Sequence, residues 1–100
     1  MKPVIVHSSA REELDKAIAF YEQQKSGLGM DLLGAVERSL RMIQENPQLG
    51  ASYKATRFRC YVVQGFPYVI FYRDLKDAIW IVAVAHGKRR PDYWSRRRME

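Results

Sequence analysis

The last fifteen residues, HGKRRPDYWSRRRME, set Lys88, Arg89, Arg90, Arg96, Arg97 and Arg98 against two acids, Asp92 and Glu100. Tyr93 and Trp94 lie between the two groups of cations. An arginine fork holds a carboxylate or a phosphate through two parallel N–H donors. Such a cluster suits an anionic polymer or an acidic protein, although a charge run is most often a solvated face. His86 heads the segment, and imidazole can take or give a proton near neutral pH. Lys54, Arg57, Arg59 and Arg73 add cations upstream, and Tyr68 adds a second phenol.

The surrounding composition narrows the chemistry. The single cysteine, Cys60, leaves no intramolecular disulfide and no Cys-pair zinc site. No glycine-rich phosphate loop and no nucleophile–base pair of recognisable spacing occurs; Gly27-x-Gly29 reads as a turn between helices. Of the net charge of +6, residues 1–50 carry six Lys/Arg and seven Asp/Glu, whereas residues 51–100 carry eleven and four. An anionic partner for the second half is expected.

These side chains need a scaffold, and 100 residues make one domain. A chain of that length buries roughly two thirds of its unfolded surface, enough for one modest core. The opening MKPVIVHSSAREE has too few apolar residues for a signal-peptide core. The longest apolar run, residues 78–85, is eight residues, where a bilayer needs roughly 20. A soluble, cytoplasmic protein is expected, one that does not associate with membranes.

PVIVH, after its proline, predicts an opening strand within residues 1–7. Ser9 and Glu12 have capping-box spacing, so a helix should start there. Ala10, Leu14, Ala17, Ile18 and Tyr21 then fall on one stripe. A second run, Leu32, Leu33, Val36, Leu40 and Ile43, follows Leu28 and Met30 and stops at Asn46-Pro47. Residues 8–46 therefore form a helical hairpin. In residues 55–86 the period shortens to two, giving TRFRCYVV, YVIFYR and AIWIVAVAH as a three-strand meander. The last strand is apolar on both faces, as a central strand is. The fold class is α+β, in the order β-α-α-β-β-β, with the hairpin on one face of a mostly antiparallel twisted sheet. Alternation puts Arg57 and Arg59 on one face, the expected open one. Residues 87–100 form the basic tail. In it, Tyr93 and Trp94 should pack back onto the helices. That would fix Arg89 and Arg90 near the sheet and leave Arg96, Arg97 and Arg98 mobile.

SSAREELDKAIAFYEQ, FPYVIFYR and IVAVAHGKRRPDYW resemble the RelE/ParE superfamily of bacterial toxins over nearly the whole chain. The last string is similar to the His-Gly-x-Arg-x-Pro-x-Tyr-Trp ending of ParE-like members. The resemblance implies the toxin of a type II module in the plasmid-stabilisation class, neutralised by an acidic, ParD-like antitoxin encoded beside it. It implies no cofactor, metal or small-molecule substrate. ParE-type members bind DNA gyrase and block replication without being nucleases. Arg89, Arg90, Tyr93, Trp94 and Arg96 would then contact the target. RelE-type members cut messenger RNA on the ribosome without a metal. That reaction needs a base for the 2′-hydroxyl, cations for the phosphate and an acid for the leaving oxygen.

For a nuclease the site would be Arg57, Arg59, Arg73, His86 and Arg89, with Lys54 as a further phosphate ligand and Tyr68 or Tyr93 as proton carriers. The plainer role of His86, and still more of His7, is that of a strand-end histidine bonding backbone. The low lysine density and the ParE-like ending favour gyrase over RNA as the target. A third reading is an inactive toxin kept as an antitoxin-binding module. The antitoxin would lie in the groove beside the hairpin, against Leu28, Met30, Leu33, Leu40 and Arg89, although core packing is the commoner task for those leucines.

Overall fold

The computed structural model describes residues 1–99. Its elements are β1 (Val4–Val6), α1 (Ser8–Gln24), α2 (Leu28–Glu45), β2 (Ala51–Ser52), β3 (Phe58–Val62), β4 (Tyr68–Asp74) and β5 (Ile79–His86). They form one five-stranded sheet in the order β1-β5-β4-β3-β2. β1 runs parallel to β5, and every other pair is antiparallel. The α+β architecture, with a helical hairpin on a mostly antiparallel sheet, is as expected. The two-residue β2 is an addition, too short to leave a periodic signal. No helix among the described residues is long and apolar enough to cross a membrane.

Helix α1 starts two residues earlier than its capping-box spacing suggested. Its N-cap is His7, whose Nδ1 accepts the Ser9 N–H at 3.0 Å. Imidazole here does what a serine hydroxyl does at other helix starts. The stripe of Ala10, Leu14, Ala17, Ile18 and Tyr21 packs into the core as its spacing demands. At the turn, Gly27 takes φ +91°, and the Glu22 carboxylate accepts the N–H groups of Gly27 and Gly29, each at 2.9 Å. A Cβ on Gly29 would stand 2.6 Å from the Ile18 carbonyl, so only glycine lets the helices meet so closely. Leu32, Ala35, Val36 and Ile43 of α2 are buried against the sheet.

Strand β5 lies between β1 and β4, which is why residues 79–85 are buried on both faces. Its pairing with β4 slips once: Tyr72 opposes Ile81 but Phe71 opposes Ala83, leaving Val82 as an extra residue. This β-bulge breaks the alternation. Ile79, Ile81 and Val84 face the helices, whereas Trp80, Val82 and Ala83 face away.

The face away from the helices is not open. Trp80, Val82 and Ala83 there meet Tyr53, Phe58, Phe71, Leu75, Tyr93 and Trp94 in a second, aromatic cluster. The first meander strand is also turned the other way from the expectation. Tyr61, which shares parity with Arg59, packs into the helix-side core, and Phe58 lies on the far face. Arg59 escapes burial because the helical layer stops short of it. Its guanidinium donates to the Gly50 carbonyl at 2.6 Å and to Gln48, in the loop after α2.

Candidate functional site

Beyond β5 the chain folds back across the far face of the sheet as a strap, residues 87–97. The reversal is fixed by backbone bonds: Gly87 N–H to the Pro67 carbonyl at 2.8 Å, and Arg89 N–H to the His86 carbonyl at 3.0 Å. Asp92, in the left-handed region at φ 62°, turns the chain down onto the sheet. Trp94 is then 2% exposed, its ring 4.6 Å from that of Phe71 and 4.9 Å from that of Phe58. The anchor foreseen for Tyr93 and Trp94 forms, but Trp94 sits on the face opposite the helices. Aromatic side chains at Tyr53, Phe58, Phe71 and Trp80 made that face the better site.

Two polar clasps hold the strap. On one side the Asp92 carboxylate accepts from the Tyr53 hydroxyl and from Lys54, both at 2.6 Å. Those donors, Lys54 before Tyr53, hold the Asp92 carboxyl below the usual carboxylate range. On the other side stands Glu13 of α1, 14% exposed at its side chain. Its carboxylate accepts the Tyr93 hydroxyl, both Nη groups of Arg97 at 3.1 and 2.9 Å, and the Val84 N–H at 3.1 Å. Arg97 also donates to the carbonyl of the bulge residue Val82 at 2.9 Å. Burial, then the bond to Glu13, pushes the Tyr93 phenol well above the ordinary tyrosine range. Burial draws the Arg97 guanidinium down, but Glu13 more than offsets it and the net shift is upward.

Arg97 is therefore fixed, not mobile as its place in a terminal run suggested. Nothing in the local sequence marks it out from Arg96 and Arg98, which are exposed. Glu13 went unnoticed for a related reason. It lies just off the apolar stripe, and only the fold brings it beside residues 84 positions along the chain.

Arg89 lies with its guanidinium carbon 3.9 Å from the centre of the Tyr93 ring, close enough for cation–π attraction. Arg90 and Arg96 are exposed on the same strap. Arg89 and His86 line one trough of about 400 Å³, between α1 and the strap, together with Lys16, Phe20 and Tyr68. The His86 ring meets that of Tyr68 edge-on at 5.2 Å, and its Nδ1 accepts the Lys88 N–H.

The remaining candidates are not gathered there. Arg57 is exposed in the loop before β3. Arg73 lies on the strap face, 5.9 Å from the Phe58 ring, while Arg59 lies on the helix face. Lys54 is occupied by Asp92. Among the described residues no three His, Cys, Asp or Glu side chains gather as metal ligands would. Burial pushes the Cys60 thiol up, away from reactivity.

A second groove, of about 250 Å³, runs on the other side of α1, where Leu33 and Leu40 join Val6, Leu14, Ile18 and Val36. Its rim carries Arg11, Asp15 and Glu37. Leu28 and Met30 stand outside it near the inter-helix turn, with Met30 57% exposed.

The family model described as ParE toxin of type II toxin-antitoxin system, parDE, matches residues 4–91. A chain from a solved structure described as the chromosomal ParDE TA system from P. aeruginosa shares the fold, with a TM-score of 0.66 and 16% identity. The likeness covers 86% of this chain and 96% of that one. No curated protein sequence matches. With the family model spanning the sheet, the helical hairpin and the start of the strap, the chain belongs to the ParE toxin family of type II toxin–antitoxin systems.

Proposed function

We propose that this toxin acts in the cytoplasm by binding DNA gyrase, without chemistry of its own, and is neutralised by a cognate acidic antitoxin. The observation that carries this reading is the strap. It presents Arg89, Arg90 and Arg96 as a cationic ridge anchored by Trp94. Arg59 and Arg73, which a phosphodiester cleavage site would need together, point to opposite faces. Arg89, held on the Tyr93 ring, fits a binding surface, because a preorganised arginine loses less freedom when it meets an acidic partner. The apolar groove lined by Leu33 and Leu40 suits an amphipathic helix of the antitoxin.

One observation favours messenger RNA cleavage instead. His86, Tyr68 and Arg89 share a single trough, so a proton carrier and a phosphate ligand do stand side by side. Brief induction of the chain in a bacterium, with mapping of new messenger RNA 5′ ends, separates the two. Growth arrest with intact messenger RNA and a DNA-damage response is the expected result. New ends inside translated codons, absent when translation is blocked, would replace gyrase with the ribosome.

A further inference from the structure

The trough between α1 and the strap is rich in donors and short of acceptors. Its half-buried acid, Glu13, is already engaged by four donors. Lys16 makes no ion pair among the described residues, and the Tyr68 hydroxyl has no hydrogen-bond partner among them. Because Nδ1 of His86 accepts the Lys88 N–H, the neutral imidazole carries its hydrogen on Nε2, a further donor. The ring of Tyr93 orients Arg89. Phe20, 56% exposed, forms an apolar ledge beside Lys16 on the same helix face. Against these stands one free acid, Glu12, on the rim.

The α1 wall of the trough runs from Ser9 to Phe20. At the rise of an α-helix that is roughly 17 Å, the length of about five residues of extended chain. Only Lys16 and Arg89 are full cations left uncommitted, since Arg97 is spent on Glu13. A nucleic-acid backbone places a phosphate every few ångströms and calls for a longer line of cations. A short peptide with one or two carboxylates and a large apolar side chain matches the count.

We infer that this trough, on the side of α1 opposite the Leu33–Leu40 groove, receives an acidic extended segment of the antitoxin. Its carboxylates would meet Lys16 and Arg89, and an apolar side chain would rest on Phe20. This rests on the toxin–antitoxin reading above and adds a second site to it. The antitoxin then straddles α1, filling one groove with apolar contacts and the other with charged ones. Neutralisation follows from occupancy, because Arg89 cannot serve the target while an antitoxin carboxylate holds it.

The test is calorimetric titration of the full chain with the protein encoded by its neighbouring antitoxin gene. The variants are Lys16→Glu and Phe20→Ala, both at exposed α1 positions, each first checked for an unchanged melting curve. Lys76→Glu, in the turn after β4, is the control. Lys16→Glu is expected to weaken binding about tenfold or more, since like charges brought together at an interface cost affinity. Phe20→Ala should weaken it about tenfold, as loss of an interface aromatic does. Lys76→Glu should stay within about twofold, as charges outside an interface do. Equal affinities for all three variants and the parent would sink the trough as a site, while a tight parent complex would leave the toxin–antitoxin reading standing. No complex with the parent chain would remove both. The same chains are titrated with oligothymidylate. Binding of that probe, lost in Lys16→Glu while antitoxin affinity holds, would reassign the trough to phosphate and overturn the inference.

Discussion

On one face of the sheet, helices of 17 and 18 residues lay down an aliphatic core centred on Leu32, Val36, Ile43, Ile70, Ile79 and Ile81. On the other, a strap of residues 87–97 covers rings with rings and is clasped at both sides by charge. The helix face has shape complementarity over a long interface, so its losses spread through the whole molecule. The strap face has few residues and polar fastenings, so its losses should stay local. A binding protein gains from that division. The sheet and hairpin keep the fold, and the strap can be altered to suit a target without unfolding it.

The heaviest blow to the comparison comes from the helix face. Leu32→Ala should lower global stability by about 2–5 kcal/mol, the usual cost of a large cavity at a fully buried leucine. Denaturant unfolding followed by far-ultraviolet circular dichroism reads this. If the loss were confined to α2 exchange rates, the helix face would not be the cooperative unit claimed.

A smaller and more local effect is expected at the strap. Glu13→Ala leaves the Tyr93 hydroxyl and the Val84 N–H without their acceptor, and Arg97 with the Val82 carbonyl alone, a cost of about 1–3 kcal/mol for orphaned polar groups. Amide exchange should quicken at Ser95 and Arg97, whose N–H groups bond within the strap, while α2 amides remain protected. Uniform quickening would mean that strap and hairpin open together, and the contrast between the faces would dissolve.

The mildest perturbation is acid. The folded-state pKa of Asp92 is depressed, so its clasp is fully present above the ordinary carboxylate value and is lost as pH falls through the depressed one. Lowering the pH through that depressed value should loosen the Tyr53–Lys54 side of the strap, read as a change in Trp94 fluorescence with the helices still formed. Asp92→Asn should abolish that change. Its persistence in the variant would assign it to another carboxylate.

Much of this was legible in the sequence because it is periodic. The α1 stripe, the stop at Asn46-Pro47 and the buried last strand follow from spacing alone, and the Tyr93-Trp94 anchor follows from two large rings next to a proline. What was hidden depends on contacts between distant residues. Parity placed Arg59 correctly beside Tyr61 but could not tell which face the hairpin would choose. Glu13, Arg97 and Val82 meet from three separate elements, and none carries a local mark of the meeting. Phe20 reads from its sequence as core packing but is 56% exposed, and only the strap turns its side of α1, with Lys16, into a wall.

The extra residue at Val82 has a consequence for inheritance. Strand β4 alternates without interruption, with Tyr68, Ile70 and Tyr72 to the helices and Val69, Phe71 and Arg73 to the strap. In β5 the bulge shifts the phase by one, and for that reason Val84 and His86 fall on the same side as Ile79 and Ile81. Loss of that single codon would close the ladder without turning the strand over, because Ala83 would then follow Ile81 and still oppose Phe71. Val84 and His86 would keep their side, and Arg97 would lose the Val82 carbonyl. Along this stretch of the gene, a deletion of three nucleotides should be tolerated better at Val82 than at Ala85, where it would turn His86 to the strap face.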